Sequence, residues 1–491
     1  MNKQYNLIAC DCGNSSTRVL LSRYDGQVIT TTTILQEPNE MVKLGEYFYW
    51  DIMHIFRLLK HGIRMAAKQA EKIDSIGICT WGVDFSLFDK RGNMLMNPLC
   101  YRNAMGEKQM AKQSASVQRE MFLRTGILSD KINSVYMLGG MQEAFPELLR
   151  ISDKLLMIPD ILNYFFTGKM LNEVSEISTT QLLDTRTMEI SKAQCEAMRI
   201  DPDIFSPIGT HGKPVGNVLP EILEEMGISY NIPVVCVPSH DTACAVLGTP
   251  SPKETFAFIS EGTWALIGLH CKKSTVTDEV LAKGLTNEVA GFGHIMLLKN
   301  SIGMFIMQRL RRDYIAKHGG DISWDALDSI AEGYTGRGLL VDVNHPDFFN
   351  PPRMDKAIGD YLIKTGQTQT PDWPAIVSAA HTSLAASFAQ GLIDVAEVSK
   401  TRLSEVYVVG GGARNQKTAQ LTADISGIDV VACGMECTSI GNALAQVAYL
   451  IPELSYLDLK KIAQASLETI RYRPLSDRCA ILKKYKQLHS Y

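Results

Sequence analysis

Residues 8–21 read IACDCGNSSTRVLL: an apolar strand runs into Asp11, turns at Gly13, displays Asn14, Ser15 and Ser16, and re-enters through Thr17 and Arg18 as a second apolar strand. Reversing a chain needs only a short turn such as Asn-Gly. Asp11, Asn14, Ser15, Ser16, Thr17 and Arg18 together exceed that need. Such a turn is either a plain hairpin or a device that presents amides and hydroxyls to a ligand. The layout returns at residues 255–270, TFAFISEGTWALIGLH, where a strand enters a polar turn at Gly262 and leaves as another strand.

Between the two turns, GTPSPKE (248–254) concentrates Gly, Pro and Ser and is the expected domain boundary. Each half follows its strand–turn–strand unit with alternating strand and helix patterns. In the first half, residues 50–69 (WDIMHIFRLLKHGIRMAAKQ) have helical spacing, and IPVVCVPSHDTACAVLG (232–248) runs a strand into polar residues and a small-residue helix. In the second, VYVVGGGARN (406–415) runs a strand into three glycines and a helix. The repetition is of topology and not of sequence. It predicts two similar α/β domains, 1–247 and 254–451, with a helical tail over 452–491.

Bulk properties narrow the function. A chain of 491 residues exceeds one hydrophobic core, and 45% hydrophobic with 21% charged residues is ordinary for a globular protein. The net charge of −4, without a basic run, argues against nucleic acid as partner. The 11 cysteines are scattered, several within apolar runs, as expected of buried thiols in a reducing compartment. The start lacks the apolar core of a signal peptide. Residues 375–393 are long enough to span a membrane, but His381, Thr382, Gln390 and the Ala and Ser content predict a close-packed core helix. The expectation is a cytoplasmic protein with no membrane partner, a monomer or a homodimer.

Four local patterns can carry chemistry. Amides of tight Gly turns form concavities that attract phosphate, so the two polar turns can bind an anion, although no G-x-x-x-x-G-K-[ST] loop occurs. Gly410, Gly411 and Gly412 serve either close strand–helix packing or a flat surface for a nucleotide. Asp241, with His240 and Thr242, is either a helix N-cap or a general base at a strand end. Trp81, Gly82 and Asp84 are either a buried hairpin or a sugar platform.

Taken in order, DCGNSSTR, TWGVDF, SHDTA, SEGTWALIG, LKNSIGMFIMQ, VVGGGARN and ECTSIGNA resemble the FGGY family of carbohydrate kinases, over about residues 5–450. TWGVDF, SHDTA, GTWALIG and the LKN…Q run are most similar to its L-rhamnulose kinase branch. The resemblance implies two actin-like (ribonuclease H-like) α/β domains facing each other across a central cleft. It implies ATP and Mg²⁺ as cofactors and a ketose as substrate, phosphorylated at O1. L-rhamnulose is the expected sugar, with L-fuculose or another ketose or polyol as alternative, and an actin- or chaperone-like ATPase as the non-kinase alternative. By motif, Asn14, Ser15, Ser16, Thr17 and Arg18 would hold ATP phosphates, and Asp11 would lie near the metal. Thr263, beside Gly262, would form the facing turn, and Gln308 and Gly411 would contact the nucleotide, with Asn415 at the same face. Asp241 would be the catalytic base, and Gly82, His240, Asp241, Thr242 and Asn300 would contact the sugar. Three departures stand out: Cys79 and Asn103 where the family pattern has carboxylates, expected to bear on the choice of sugar, and Glu261 where Ser is usual, an extra negative charge beside a phosphate turn.

Overall fold

The computed structural model describes residues 4–488 apart from 335 and 337. In chain order the strands of its two main sheets include β1 (Tyr5–Cys12), β2 (Ser16–Tyr24), β3 (Ile29–Pro38), β4 (Ser75–Thr80), β5 (Lys213–Asn217), β6 (Pro233–Cys236), β7 (Phe256–Glu261), β8 (Trp264–Cys271), β9 (Ile295–Ile302), β10 (Glu405–Val409), β11 (Asp429–Cys433) and β12 (Thr469–Tyr472), with the short strand Thr286–Val289 as a further edge. Helices that pack on them include α1 (Ile52–Ala67), α2 (Asp241–Gly248), α3 (Phe305–His318), α4 (Trp373–Ser399), α5 (Gln416–Ser426), α6 (Cys437–Leu450), α7 (Tyr456–Ser466) and α8 (Cys479–Leu488).

The chain divides into two units. Unit 1 holds the residues up to Thr255, His270–Leu297 and Glu436–Leu467; unit 2 holds Phe256–Leu269, Leu298–Met435 and the residues from Glu468 onward. Segments 270–297 and 436–467 thus fold with unit 1 although they follow the Gly- and Pro-rich stretch at 248–254.

The sheet of unit 1 has the order β5-β6-β4-β1-β2-β3. β1, β4 and β6 run parallel, while β2 and β3 form an antiparallel meander with β1. In unit 2 the order is β9-β8-β7-β10-β11-β12, with β7, β10 and β11 parallel and β12 an antiparallel edge. Numbered within each unit, both run 3-2-1-4-5 with one antiparallel strand added. The repeat inferred from the two polar turns is therefore present in strand order.

Burial on both faces explains why β1 reads as a near-continuous apolar run. One face sets Ile8, Cys10, Val19 and Ile76 against Ile55, Leu59 and Ile63 of α1. The other sets Leu7 and Val235 against Leu444 and Val447 of α6. Each such buried side chain contributes about 1.5–3 kcal/mol relative to exposure. The apolar residues of α1 recur three and four apart on the buried face, and Asp51 caps the helix by accepting from the His54 N–H at 3.0 Å.

α4 is the core helix expected over 375–393. Asp372 caps it, accepting from the Ala375 N–H at 2.9 Å, and 78% of its most apolar window is buried within the protein. Its small residues allow close packing: a Cβ on Gly391 would lie 2.9 Å from Ile267 Cγ2. Of the 11 cysteines nine are buried, and none is in a disulfide. The expected helical tail is two pieces. α7 packs in unit 1, where Lys460 donates to the Val246 and Leu247 carbonyls, while β12 and α8 belong to unit 2, with Tyr485 buried beside Ala385 and Ile425. Residues 489–491 of that tail lie outside the described residues.

Candidate active site

In unit 1 the carboxyl ends of the parallel strands meet. The Trp81 N–H donates to the Cys12 carbonyl at 3.2 Å and the Thr80 N–H to the Ser239 carbonyl at 2.7 Å, so the segments after β1, β4 and β6 lie side by side. The β1–β2 ladder pairs Asp11 with Arg18 and Cys12 with Thr17, and the Arg18 guanidinium donates to the Asp11 carboxylate. Burial works against the Arg18 charge, but the Asp11 carboxylate outweighs it and holds the guanidinium pKa above its ordinary value. Glu436 Oε2 lies 3.8 Å from the same guanidinium.

Asn39 braces the hairpin. It accepts from Thr17 Oγ1 at 2.8 Å, donates to the Gly13 carbonyl at 2.6 Å, and its N–H donates to the Ser15 carbonyl at 3.0 Å. Asn14 donates to the Tyr101 hydroxyl at 3.3 Å, and Ser15 is exposed at the tip. Asn39 was invisible to motif reasoning because it lies one strand away from the turn it holds.

Asp241 is the first residue of α2, and His240 takes the cap position without a side-chain cap bond. The N-cap alternative for Asp241 therefore falls away. About a third of the Asp241 side chain is exposed, at 34%. Burial around the carboxyl, and then the charge of Asp11, push its pKa up to about 7, against bonds from Thr242 and the charge of Arg18. His240 stands between two acids, with Nε2 3.6 Å from Asp241 Oδ1 and Nδ1 3.5 Å from Glu288 Oε2. Burial lowers the His240 pKa and raises that of Glu288.

A buried network that sequence reasoning missed supports this turn. The His240 N–H donates to Ser175 Oγ at 3.0 Å, and Ser175 Oγ donates to Glu173 at 2.5 Å. Glu173, fully buried, also accepts from the Ser175 and Glu176 amides and from His211. Burial opposes its charge, yet these donors hold its pKa below the ordinary value. The available signal was NEVSEIS at residues 172–178, two glutamates three apart flanking a serine.

Gly82 and Val83 form a constrained corner. A Cβ on Gly82 would lie 2.8 Å from Thr179 Cγ2. Val83 has φ +73°, a conformation that costs a β-branched residue on the order of 1–3 kcal/mol and clusters at functional sites. The Thr179 hydroxyl accepts the Val83 N–H at 2.9 Å, and Ser134 donates to its carbonyl. Trp81 is the buried alternative: its ring tilts against Trp50 at 4.4 Å, and both indoles donate to Asp84 Oδ2, at 2.9 and 2.6 Å. Burial pushes Asp84 up to about 7 despite those two donors.

Two of the departures from the family pattern do not bear on a sugar directly. Cys79 is fully buried in the core with Val235, Cys244 and Ile440, where Asn442 approaches its sulfur at 3.5 Å. Asn103 is spent internally, accepting from the Phe48 N–H and donating to the Phe48 and Cys100 carbonyls. The expectation that these positions mark the sugar pocket is corrected: both are structural.

In unit 2 the β7–β8 turn is held by the Gly262 N–H to the Trp264 carbonyl at 2.8 Å. The carbonyls of Gly262 and Thr263 accept from Met304 and Gly303, so the turn abuts the start of α3, where Gln308 is exposed. Gly410 and Gly412 lie against Glu261, while Gly411 is exposed with nothing within 4 Å of its Cβ position. Thr263, Gln308 and Gly411 are thus carried on adjoining segments. Asn300, exposed on β9, stands three residues before Gly303, between Lys299, which pairs with Asp394 at 3.1 Å, and Ser301, bonded to Ser387 at 2.9 Å. Asn415 is buried and caps α5, accepting from the Thr418 N–H at 2.9 Å, so its side chain is not at an open face. Glu261 corrects another expectation. Burial pushes its carboxyl up to about 8, which keeps it neutral at pH 7 and adds no charge to the turn.

Among the described residues no cluster of three or more His, Cys, Asp or Glu is assembled for a metal. Mg²⁺ does not require one, since it is commonly held by one or two carboxylates together with substrate phosphates. Asp11, at the base of the hairpin, fits that manner of binding.

Parallel strands ending in a braced polar hairpin and a single poised carboxylate, with a Gly turn in a second unit of the same topology, describe a phosphotransferase fold. Residues 6–248 match the N-terminal domain and residues 257–450 the C-terminal domain of the FGGY family of carbohydrate kinases. The chain belongs to that family, and is accordingly a sugar kinase that uses ATP. Among its relatives, a protein from Bacteroides thetaiotaomicron named rhamnulokinase is 33% identical over 96% of both chains. Another rhamnulokinase, from Bacillus subtilis, is 29% identical over 98% of both. The fold is also that of a gluconate kinase from Lactobacillus acidophilus, at TM-score 0.79 and 14% identity over 99% of this chain and 96% of that one.

Proposed function

We propose that the protein is a rhamnulokinase, transferring the γ-phosphate of ATP to O1 of L-rhamnulose in the breakdown of L-rhamnose. The relatives' names support the sugar. The observation that carries the chemistry is Asp241: a partly exposed carboxylate with a pKa about 7, beside the Asp11–Arg18 hairpin.

In this reading Asp241 accepts the O1 proton as that oxygen attacks the γ-phosphorus in line, and the bond to the β-phosphate oxygen breaks to release ADP. A base with pKa near the working pH combines a large ionised fraction with real proton affinity. Arg18 and the amides of residues 14–17 stabilise the charge spread over the transferring oxygens. Asp11, together with the phosphates, would hold Mg²⁺, which when bound would supply further neutralisation there. Gly82, His240, Thr242 and Asn300 bind the sugar, and Thr263, Gln308 and Gly411 bind the nucleotide. The division of labour assigns the first hairpin, the base and all sugar contacts but Asn300 to residues 1–247, and the nucleotide contacts Thr263, Gln308 and Gly411 to 254–451. We further propose a cytoplasmic monomer or homodimer.

The test is ADP release with Mg²⁺ and ATP, with and without sugar. Release that depends on L-rhamnulose supports the reading; equal release without any sugar overturns it.

A further inference from the structure

Two of the three glycines at 410–412 answer to one residue, Glu261: Gly410 to its backbone and Gly412 to its side chain. Gly410 has φ +88°, a region that favours glycine, and its Cβ position lies 2.7 Å from the Glu261 carbonyl oxygen. A Cβ on Gly412 would fall inside the Glu261 carboxyl group. Gly411 between them meets nothing within 4 Å. The Gly triplet is therefore not uniform: its outer members make room for Glu261, and only the middle one faces outward.

Glu261 is the last residue of β7, immediately before the Gly262–Thr263 turn, and is only 3% exposed. Its Oε1 is buried without a hydrogen-bond partner. An ionised carboxylate could not be kept so, because a buried unpaired charge is far costlier than a neutral acid. The upward shift of its pKa by burial agrees with this. The side chain acts as an uncharged spacer whose backbone belongs to one turn and whose carboxyl fills the space beneath the other.

We propose that Glu261 is a positioning residue of the nucleotide site, a wedge that fixes the 410–412 turn relative to the 262–263 turn. The inference rests on the reading above that Gly411 and Thr263 face the nucleotide. A ligand that touches both turns needs their separation set in advance. Removing the wedge frees the Gly turn to settle inward, and ATP binding weakens while sugar binding does not. Adding a methyl at 412 against an intact wedge pushes the turn outward, with the same consequence.

The experiment measures ATP dissociation constants by calorimetry, and KM for ATP and for sugar, on the full chain. Wild type, Glu261→Gln, Glu261→Ala, Gly412→Ala and the Glu261→Ala/Gly412→Ala double variant are compared. Glu261→Gln keeps the shape and stays within about 2-fold of wild type. Glu261→Ala and Gly412→Ala each weaken ATP by roughly 10-fold, the scale on which displacements below an ångström act, and leave the sugar KM unchanged. The double variant recovers ATP affinity relative to Gly412→Ala, because the clash has been removed. ATP affinity unchanged in Glu261→Ala, or a double variant no better than Gly412→Ala, overturns the wedge. A Glu261→Ala protein that does not fold leaves the Gln and double variants to decide. Wild type that fails to bind ATP overturns the nucleotide reading itself, and the inference with it.

Discussion

Gly441→Ala is expected to damage catalysis by moving the helix that starts at Asp241. α2 and α6 cross backbone to backbone: a Cβ on Gly441 would lie 2.7 Å from the Cys244 carbonyl carbon and 2.9 Å from the Gly248 N, closer still to the Cys244 oxygen. Ordinary contact begins at about 3.4 Å, so the carbonyl carbon alone requires the helices to part by about 0.7 Å, and the nearer oxygen requires more than an ångström unless the backbone also tilts. The obstacle is backbone, which cannot rotate out of the way as a side chain can. Overpacking of this kind costs about 1–3 kcal/mol, from which the better helix propensity of Ala recovers up to about 1 kcal/mol. Because Asp241 is the first residue of α2, the displacement is passed to its carboxyl. A shift approaching 1 Å costs up to ~10²-fold in rate. Steady-state kinetics and urea unfolding of the variant measure both effects, kcat falling at least about 10-fold and the midpoint moving down. Unchanged kcat and midpoint refute the claim that this helix contact sets the position of Asp241.

Asp241→Asn is expected to lower kcat by ~10² or more while ATP binding by calorimetry stays near wild type; near-normal turnover removes the base. With a carboxyl at about 7 that must be ionised to act, kcat/KM should climb about tenfold per pH unit below 7 and level off above about 8, and a flat profile between pH 5 and 8 contradicts the assignment. Ser175→Ala leaves the His240 N–H and Glu173 short of a partner, a loss of about 1–3 kcal/mol that chemical denaturation can read; no change in stability shows the network is idle. Asn39→Ala removes the brace on the hairpin and should raise the KM for ATP several-fold with the sugar KM unmoved, whereas equal shifts in both point to a general disturbance.

Local geometry was legible in the sequence wherever one short segment made it. The hairpin at 11–18 and its counterpart at 262–263 announced themselves by polar residues between apolar strands, and so did the start of α2 at Asp241. The core helix α4 could be told from a membrane span by His381, Thr382, Gln390 and its Ala and Ser content. What stayed hidden was set by neighbours distant in the chain. Cys79 and Asn103 looked like altered sugar contacts because the motif carries no information about which way a side chain points; packing turned one into the core and the other onto Phe48. Glu261 looked like a charge until burial, which no motif records, made it a neutral acid. Trp81 could be a buried hairpin residue or an open platform, and Trp50, 31 residues earlier in the chain, decides for burial.

The most direct test of the account is ADP release from ATP and Mg²⁺ with L-rhamnulose, L-fuculose, L-ribulose, D-xylulose and glycerol measured side by side. The account predicts the highest kcat/KM for L-rhamnulose. A site that hydrogen-bonds a hydroxyl can reject the epimer lacking that bond by ~10⁴-fold, so the margin over L-fuculose should be large. A clear preference for L-fuculose or for a sugar outside the 6-deoxy-L-ketoses would contradict the substrate, and turnover indifferent to every sugar would contradict the kinase.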